Sequence, residues 1–232
     1  MSRFEDRRHA GQVLAAELSR YAGSEDVVVL ALPRGGVPVA FEVAKHLRAP
    51  LDVFVVRKLG VPGHEELAMG ALAPGGIRVL NDDVVSGLQI GERVIESVAA
   101  AEGRELERRE RVYRGDRPSV DVSRRIVILV DDGLATGSTM RAAVAALRQR
   151  SPKRIIVGVP VAAKSTCQAL AQEVDEMVCV RMPESFFAVS AWYADFSQTT
   201  DAEVRQLLEA AHQASTKQRQ PDSAAGVDDA QR

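Results

Sequence analysis

Short runs of apolar residues recur along the chain, and each is followed by a turn and a longer stretch with apolar positions every three or four residues. The runs at 27–32, 51–56, 126–130, 154–159 and 174–180 read as strands. Ile126 to Val130 is aliphatic throughout, the pattern of a strand covered on both faces. The stretches at 37–48, 139–149 and 164–172 read as helices. Before the first strand, Phe4, Val13, Leu14, Leu18 and Tyr21 fall at near-helical spacing over 4–22. Alternation of strands with helices predicts an α/β fold: a doubly wound, mainly parallel five-stranded sheet with flanking helices.

Three segments depart from that alternation. Residues 59–80 hold Gly60, Pro62, Gly63, Gly70, Gly75 and Gly76, and read as a flexible flap in which 66–72 and 77–80 pair as a hairpin. Residues 91–114 alternate Glu and Arg at helical spacing, the mark of an exposed helix laced with ion pairs. Residues 183–198 hold half of the chain's aromatic residues and are expected to form a small C-terminal hood. Its aromatics would serve equally to wall a ligand, to close a satellite core or to meet a second subunit. Residues 201–213 look helical, with Asp201 as N-cap and Leu207 and Leu208 turned inward. The expected organisation is one domain over 1–214 and a polar, disordered tail over 215–232.

Charge and cysteine content narrow the setting. Thirty basic against 32 acidic residues leave a net charge of −2, which gives no sign of a broad polyanion-binding surface. There is no helix-turn-helix pattern, so DNA is not an expected partner, while the local basicity of 104–117 leaves RNA open. Cys167 and Cys179 have neither CxxC spacing nor a histidine cluster, and read as free thiols in a reducing compartment. No segment resembles a signal peptide or a membrane span, so a cytoplasmic protein is expected.

Chemistry concentrates at three strand ends. In IVILVDDGLATGST, residues 126–139, a strand ends in Asp131 and Asp132 and a small-residue loop enters the next helix. Ala135, Thr136, Gly137, Ser138 and Thr139 offer backbone N–H groups, hydroxyls and a helix N-terminus, a combination suited to phosphate. Two carboxylates suit sugar hydroxyls or a hydrated divalent cation instead. In VVVLALPRGGVPVA, residues 27–40, Gly35 and Gly36 permit close backbone approach to a ligand and Arg34 supplies a charged fork. After the second strand, Arg57 and Lys58 open the flap, and Glu65 and Glu66 follow within it.

The first of these segments resembles the phosphoribosyl pyrophosphate (PRPP) motif of type I phosphoribosyltransferases: an apolar strand, two acidic residues, then Thr-Gly-x-Thr. The second, in the right order upstream, is similar to the loop that binds pyrophosphate in that family. The resemblance implies a cis peptide joining Pro33 to Arg34. It implies that Asp131 and Asp132 hold the ribose hydroxyls and the water shell of Mg²⁺, and that 135–139 holds the 5′-phosphate. It further implies that Arg34, Gly35, Gly36, Arg57 and Lys58 bind pyrophosphate, with Asp131, Asp132, Arg34 and Lys58 as the catalytic set.

The acceptor is less clearly marked. Glu65, Glu66, Phe186, Trp192 and Tyr193 are the candidates for contacting it. Ala135 stands where relatives acting on 6-oxopurines carry an aspartate, which points away from hypoxanthine and guanine. The implied function is Mg²⁺-dependent transfer of phosphoribose from PRPP to a nitrogenous acceptor, a nucleobase among the candidates, by a homodimer. The alternative is a PRPP-sensing regulatory protein with little or no catalysis.

Overall fold

The computed structural model describes residues 2–219, in which eight strands and seven helices follow one another. In chain order they are α1 (Arg7–Glu17), β1 (Val27–Ala31), α2 (Gly36–Leu47), β2 (Leu51–Val53), β3 (Arg57–Val61), β4 (His64–Ala73), β5 (Ile77–Leu80), α3 (Asp82–Gly87), α4 (Glu92–Arg114), β6 (Ile126–Val130), α5 (Ser138–Arg148), β7 (Arg154–Val161), α6 (Lys164–Leu170), β8 (Glu176–Arg181) and α7 (Asp201–Arg219).

Five strands form one parallel sheet, as the sequence pattern predicts, and they lie in the order β2-β1-β6-β7-β8. The central β1 and β6 are apolar throughout because both of their faces are covered. Val27, Val29 and Ala31 pack with residues of α1, α2 and α7, while Val28 and Leu30 pack with residues of α5 and α6. The strand order reverses between β1 and β6, which are hydrogen-bonded neighbours in flush register, Val27 opposite Ile126 and Ala31 opposite Val130. Their carboxyl ends therefore stop at the same level, and the loops leaving them must diverge side by side. Such a switch point is where open α/β sheets take their ligands.

The flap is a separate antiparallel sheet, β3-β4-β5. Two expectations are corrected here. The run expected as a strand to residue 56 stops at Val53, and Arg57 and Lys58 lie within β3 rather than in a loop. Nor is the whole of 59–80 a free flap. Leu59 and Met69 are fully buried and Leu72 nearly so, and α4 and α5 pack against the base of this sheet. Only the tip is exposed on both strands, residues 62–67. Apolar residues fill the inward positions of the base, whereas the tip carries the turn pair Pro62 and Gly63 followed by His64, Glu65 and Glu66, whose side chains cannot be buried without a large desolvation cost.

Two further expectations are corrected at the C-terminus. Thr200, not Asp201, caps α7: its Oγ1 accepts from the Glu203 N–H at 3.1 Å, and Asp201 is the first helical residue. Val204 and Leu208 are buried beneath this helix and Leu207 is partly so. The helix then runs to Arg219, past the expected start of the tail at 215, and the rest of that tail lies outside the described residues. Among the described residues no helix is long and apolar enough to cross a membrane.

Candidate active site

The loops leaving β1 and β6 meet at the switch point. The Leu32 N–H donates to the Val130 carbonyl at 2.9 Å, so the chains are still paired where they turn away. The Pro33–Arg34 peptide is cis. Gly35 then passes so close to the acidic pair that a Cβ there would stand 2.0 Å from Oδ2 of Asp132. A Cβ on Gly36 would stand 2.8 Å from the Val130 carbonyl oxygen and 3.1 Å from Oδ1 of Asp131. Glycine is required at both positions because the neighbouring backbone and carboxylates already occupy that space. Two motifs far apart in sequence thus form one floor.

The carboxylates on that floor are largely removed from water. Burial pushes Asp131 well above the usual carboxylate range and the adjacent Asp132 charge adds to this, while the Asp132 N–H, donating to Asp131 Oδ1 at 2.8 Å, opposes it. Burial also raises Asp132, against the bond from Arg7. Arg7 Nε donates to Asp132 Oδ2 at 2.8 Å, with the two side chains only 12% and 14% exposed.

Arg7 is a residue that sequence reasoning missed. It lies in the first turn of α1, behind the Asp6 N-cap, and is clamped by the hood: its guanidinium sits 3.8 Å from the Phe196 ring centroid and donates to the Ser197 carbonyl at 2.7 Å. A signal was present. Arg7 and Arg8 stand at the positive end of a helix, where cations are unfavourable unless another partner holds them. Both have one, Arg8 pairing with the buried Glu42 at 2.9 Å.

The hood is built jointly by the N-terminus and residues 186–196. Phe4, Ala10, Val161 and Tyr193 form a small core, with Phe186, Trp192 and Phe196 packed against it. Of the three uses open to these aromatics, the satellite core accounts for Tyr193. Its ring, 3% exposed, lies against Phe4 and Phe196, and its hydroxyl donates to the Asp132 carbonyl at 2.5 Å. Tyr193, named above as an acceptor candidate, is packed in this core and braces the acidic pair. Phe186 and Trp192 are partly buried in the same cluster, and Phe187 is exposed.

The loop after Asp132 is braced from the side. Leu134 bridges to Ala162, and the Thr166 hydroxyl donates to the Ala135 carbonyl at 2.6 Å. Gly137 takes φ +73°, closed to most side chains, and a Cβ there would also meet Thr166 Cγ2 at 2.7 Å. With the Ala135 carbonyl tied outward, the loop keeps its N–H groups and the hydroxyls of Thr136 and Ser138, 3.3 Å apart, at the start of α5. This is an anion cradle by its donor set.

The remaining cations are not gathered on the acidic pair. Arg34 reaches Asp201 at 3.6 Å, Arg57 pairs with Glu102 on α4 at 2.6 Å, and Lys58 pairs with the Glu66 carboxylate at 3.8 Å and also meets its carbonyl. The Glu65 carboxyl is held below its usual range by its own backbone N–H and then by the Gly63 N–H, which donates to it at 3.2 Å, and Glu66 projects fully into solvent. Among the described residues no three His, Cys, Asp or Glu side chains gather as a metal cage. Two carboxylates beside an anion cradle do fit a Mg²⁺ that keeps most of its waters and shares ligand oxygens. A separate cavity of about 560 Å³ lies between Leu51, Arg114 and Leu208, but Arg114 there is already bonded to Asp52 and Glu110.

The chain has clear relatives among known proteins. The phosphoribosyl transferase domain matches residues 5–195. The chain belongs to that family. A protein of Mycobacterium tuberculosis provisionally named a phosphoribosyl transferase is 47% identical over 212 residues, which are 91% of this chain and 48% of the relative. The chain thus spans about half the length of the curated relatives it matches. The crystal structure of TT1426 from Thermus thermophilus superimposes with a TM-score of 0.79 at 43% identity, covering 89% of this chain and 97% of that one. Family membership accounts for the resemblance drawn from residues 27–40 and 126–139, and leaves the acceptor subgroup unassigned.

Proposed function

We propose that this phosphoribosyltransferase domain transfers phosphoribose from PRPP to a nitrogenous acceptor and releases pyrophosphate. The observation that carries the reading is the contact of Gly35 and Gly36 with Asp132 and Asp131 at the β1/β6 switch point. It brings a phosphate-type loop, two carboxylates and a second glycine loop to one place, matched to the two charged ends and the central sugar of PRPP.

In this reading the loop 135–139 anchors the 5′-phosphate through its amides and the hydroxyls of Thr136, Ser138 and Thr139. Asp131 and Asp132 accept hydrogen bonds from the ribose hydroxyls, fixing the anomeric carbon relative to the acceptor. Arg7 and Tyr193 hold Asp132 for that task. The amides of Gly35 and Gly36, with Arg34 and Lys58, stabilise the departing pyrophosphate as the glycosidic C–O bond breaks. Mg²⁺, when bound beside Asp131 and Asp132, supplies charge neutralisation of the diphosphate oxygens. No side chain acts as a nucleophile. Lys58 must leave Glu66 to take part, which assigns the flap tip to closure over bound PRPP.

The test is calorimetric titration of PRPP with Mg²⁺, followed by a screen of nitrogenous bases for pyrophosphate release. Asp131→Asn with Asp132→Asn is expected to lower turnover by roughly a thousandfold or more and to weaken PRPP binding in a folded domain. Wild-type PRPP affinity in that double variant would remove the ribose assignment. Tight PRPP binding without release for any base would favour the sensing alternative.

A further inference from the structure

Arg34 does not reach toward the acidic pair. Its Nη1 lies 3.6 Å from Oδ1 of Asp201, the first residue of α7. The same oxygen accepts from the Tyr113 hydroxyl at 3.0 Å, and Tyr113 is a core residue of α4, 2% exposed. The carboxylate therefore has a fixed position, set from below by a buried donor. Burial, and then the bond to Asp201, push the Tyr113 hydroxyl above its ordinary range, so it stays a proton donor to this carboxylate. Arg34 is the arginine that contacts this carboxylate, while Arg108 and Arg109 are taken up by Glu105 at 2.7 and 2.8 Å.

The helix does not depend on this acid, because Thr200 caps it and Glu203 already complements its dipole. Arg34 and Asp201 are 37% and 45% exposed, so the pair is screened by solvent and open to displacement. A diphosphate brings several negative charges and a geometry matched to the guanidinium fork, against a single carboxylate charge.

We propose that Asp201 is an internal competitor for diphosphate: it occupies Arg34 in the ligand-free protein and thereby lowers the affinity of the site for pyrophosphate and PRPP. The inference rests on the reading of Arg34 as a pyrophosphate ligand. Both substrate and product carry the diphosphate, so Asp201 weakens the hold on each.

The experiment is titration of the full chain with pyrophosphate and Mg²⁺ at one ionic strength, near about 0.1 M. It uses wild type, Asp201→Asn, Arg34→Gln and the double variant, with ribose 5-phosphate as the second ligand. Asparagine keeps the acceptor for Tyr113 and removes the charge. Asp201→Asn is expected to bind pyrophosphate roughly three- to tenfold more tightly, with ribose 5-phosphate unchanged. In the Arg34→Gln background the same substitution should change nothing. Unchanged or weaker pyrophosphate binding in Asp201→Asn, where Arg34→Gln does reduce it, overturns the competitor and leaves the function standing. Pyrophosphate affinity indifferent to Arg34→Gln removes the assignment of the loop and the competitor together.

Discussion

The loop after β6 and the flap after β2 both carry charged residues from strand ends, yet they hold them in opposite ways. Asp131 and Asp132 are half-buried, crowded by Gly35 and Gly36, and braced by Arg7, Tyr193 and the Asp132 N–H. The flap's Lys58, Glu65 and Glu66 sit at or near a solvent-exposed tip and pair only with one another or with their own backbone. The difference separates two tasks. Geometry that must be right before the ligand arrives is fixed by packing, whereas groups that engage afterwards are stored in weak, exposed pairs.

That contrast can be broken at its strongest point first. Arg7→Met should cost about 2–3 kcal/mol in denaturant unfolding, because it leaves the Asp132 carboxylate buried without its cation. PRPP affinity should fall with it, although Arg7 touches no ligand in the proposed mechanism. Gly35→Ala should cost about 1–3 kcal/mol and reduce PRPP binding, since the new methyl needs space that Asp132 Oδ2 now fills. A Gly35→Ala protein as stable as wild type would mean that the two loops are not pressed together. At the small end, Glu66→Ala should change stability by less than about 0.5 kcal/mol, the range of an exposed pair. A loss several times larger would show that the flap tip is part of the folded core and erase the contrast.

The same division governed what could be read in advance. The central strands β1 and β6 were legible because a strand buried on both faces must be apolar along its whole length. The flap base was misread because β3 reads Arg-Lys-Leu-Gly-Val, where two leading cations look like a loop while Leu59 is in fact buried. Asp201 looked like a cap because it precedes a helical pattern, but Thr200 satisfies the Glu203 N–H one residue earlier. Tyr193 looked like a ligand wall by composition alone, which does not distinguish a stacking face from a satellite core.

By itself the sequence determined the order of strands and helices, the two glycine-containing turns at strand ends and the pair of aspartates. Each of these follows from backbone chemistry and hydrophobic period within about ten residues. Tertiary structure alone decided the partners: Arg7 for Asp132 across 125 residues, Thr166 for Ala135 across 31, and Asp201 for Arg34. Those choices depend on which side chains the packing of α1, α6 and α7 delivers to the β1/β6 switch point. A charged side chain carries no local mark of the partner that burial will oblige it to find.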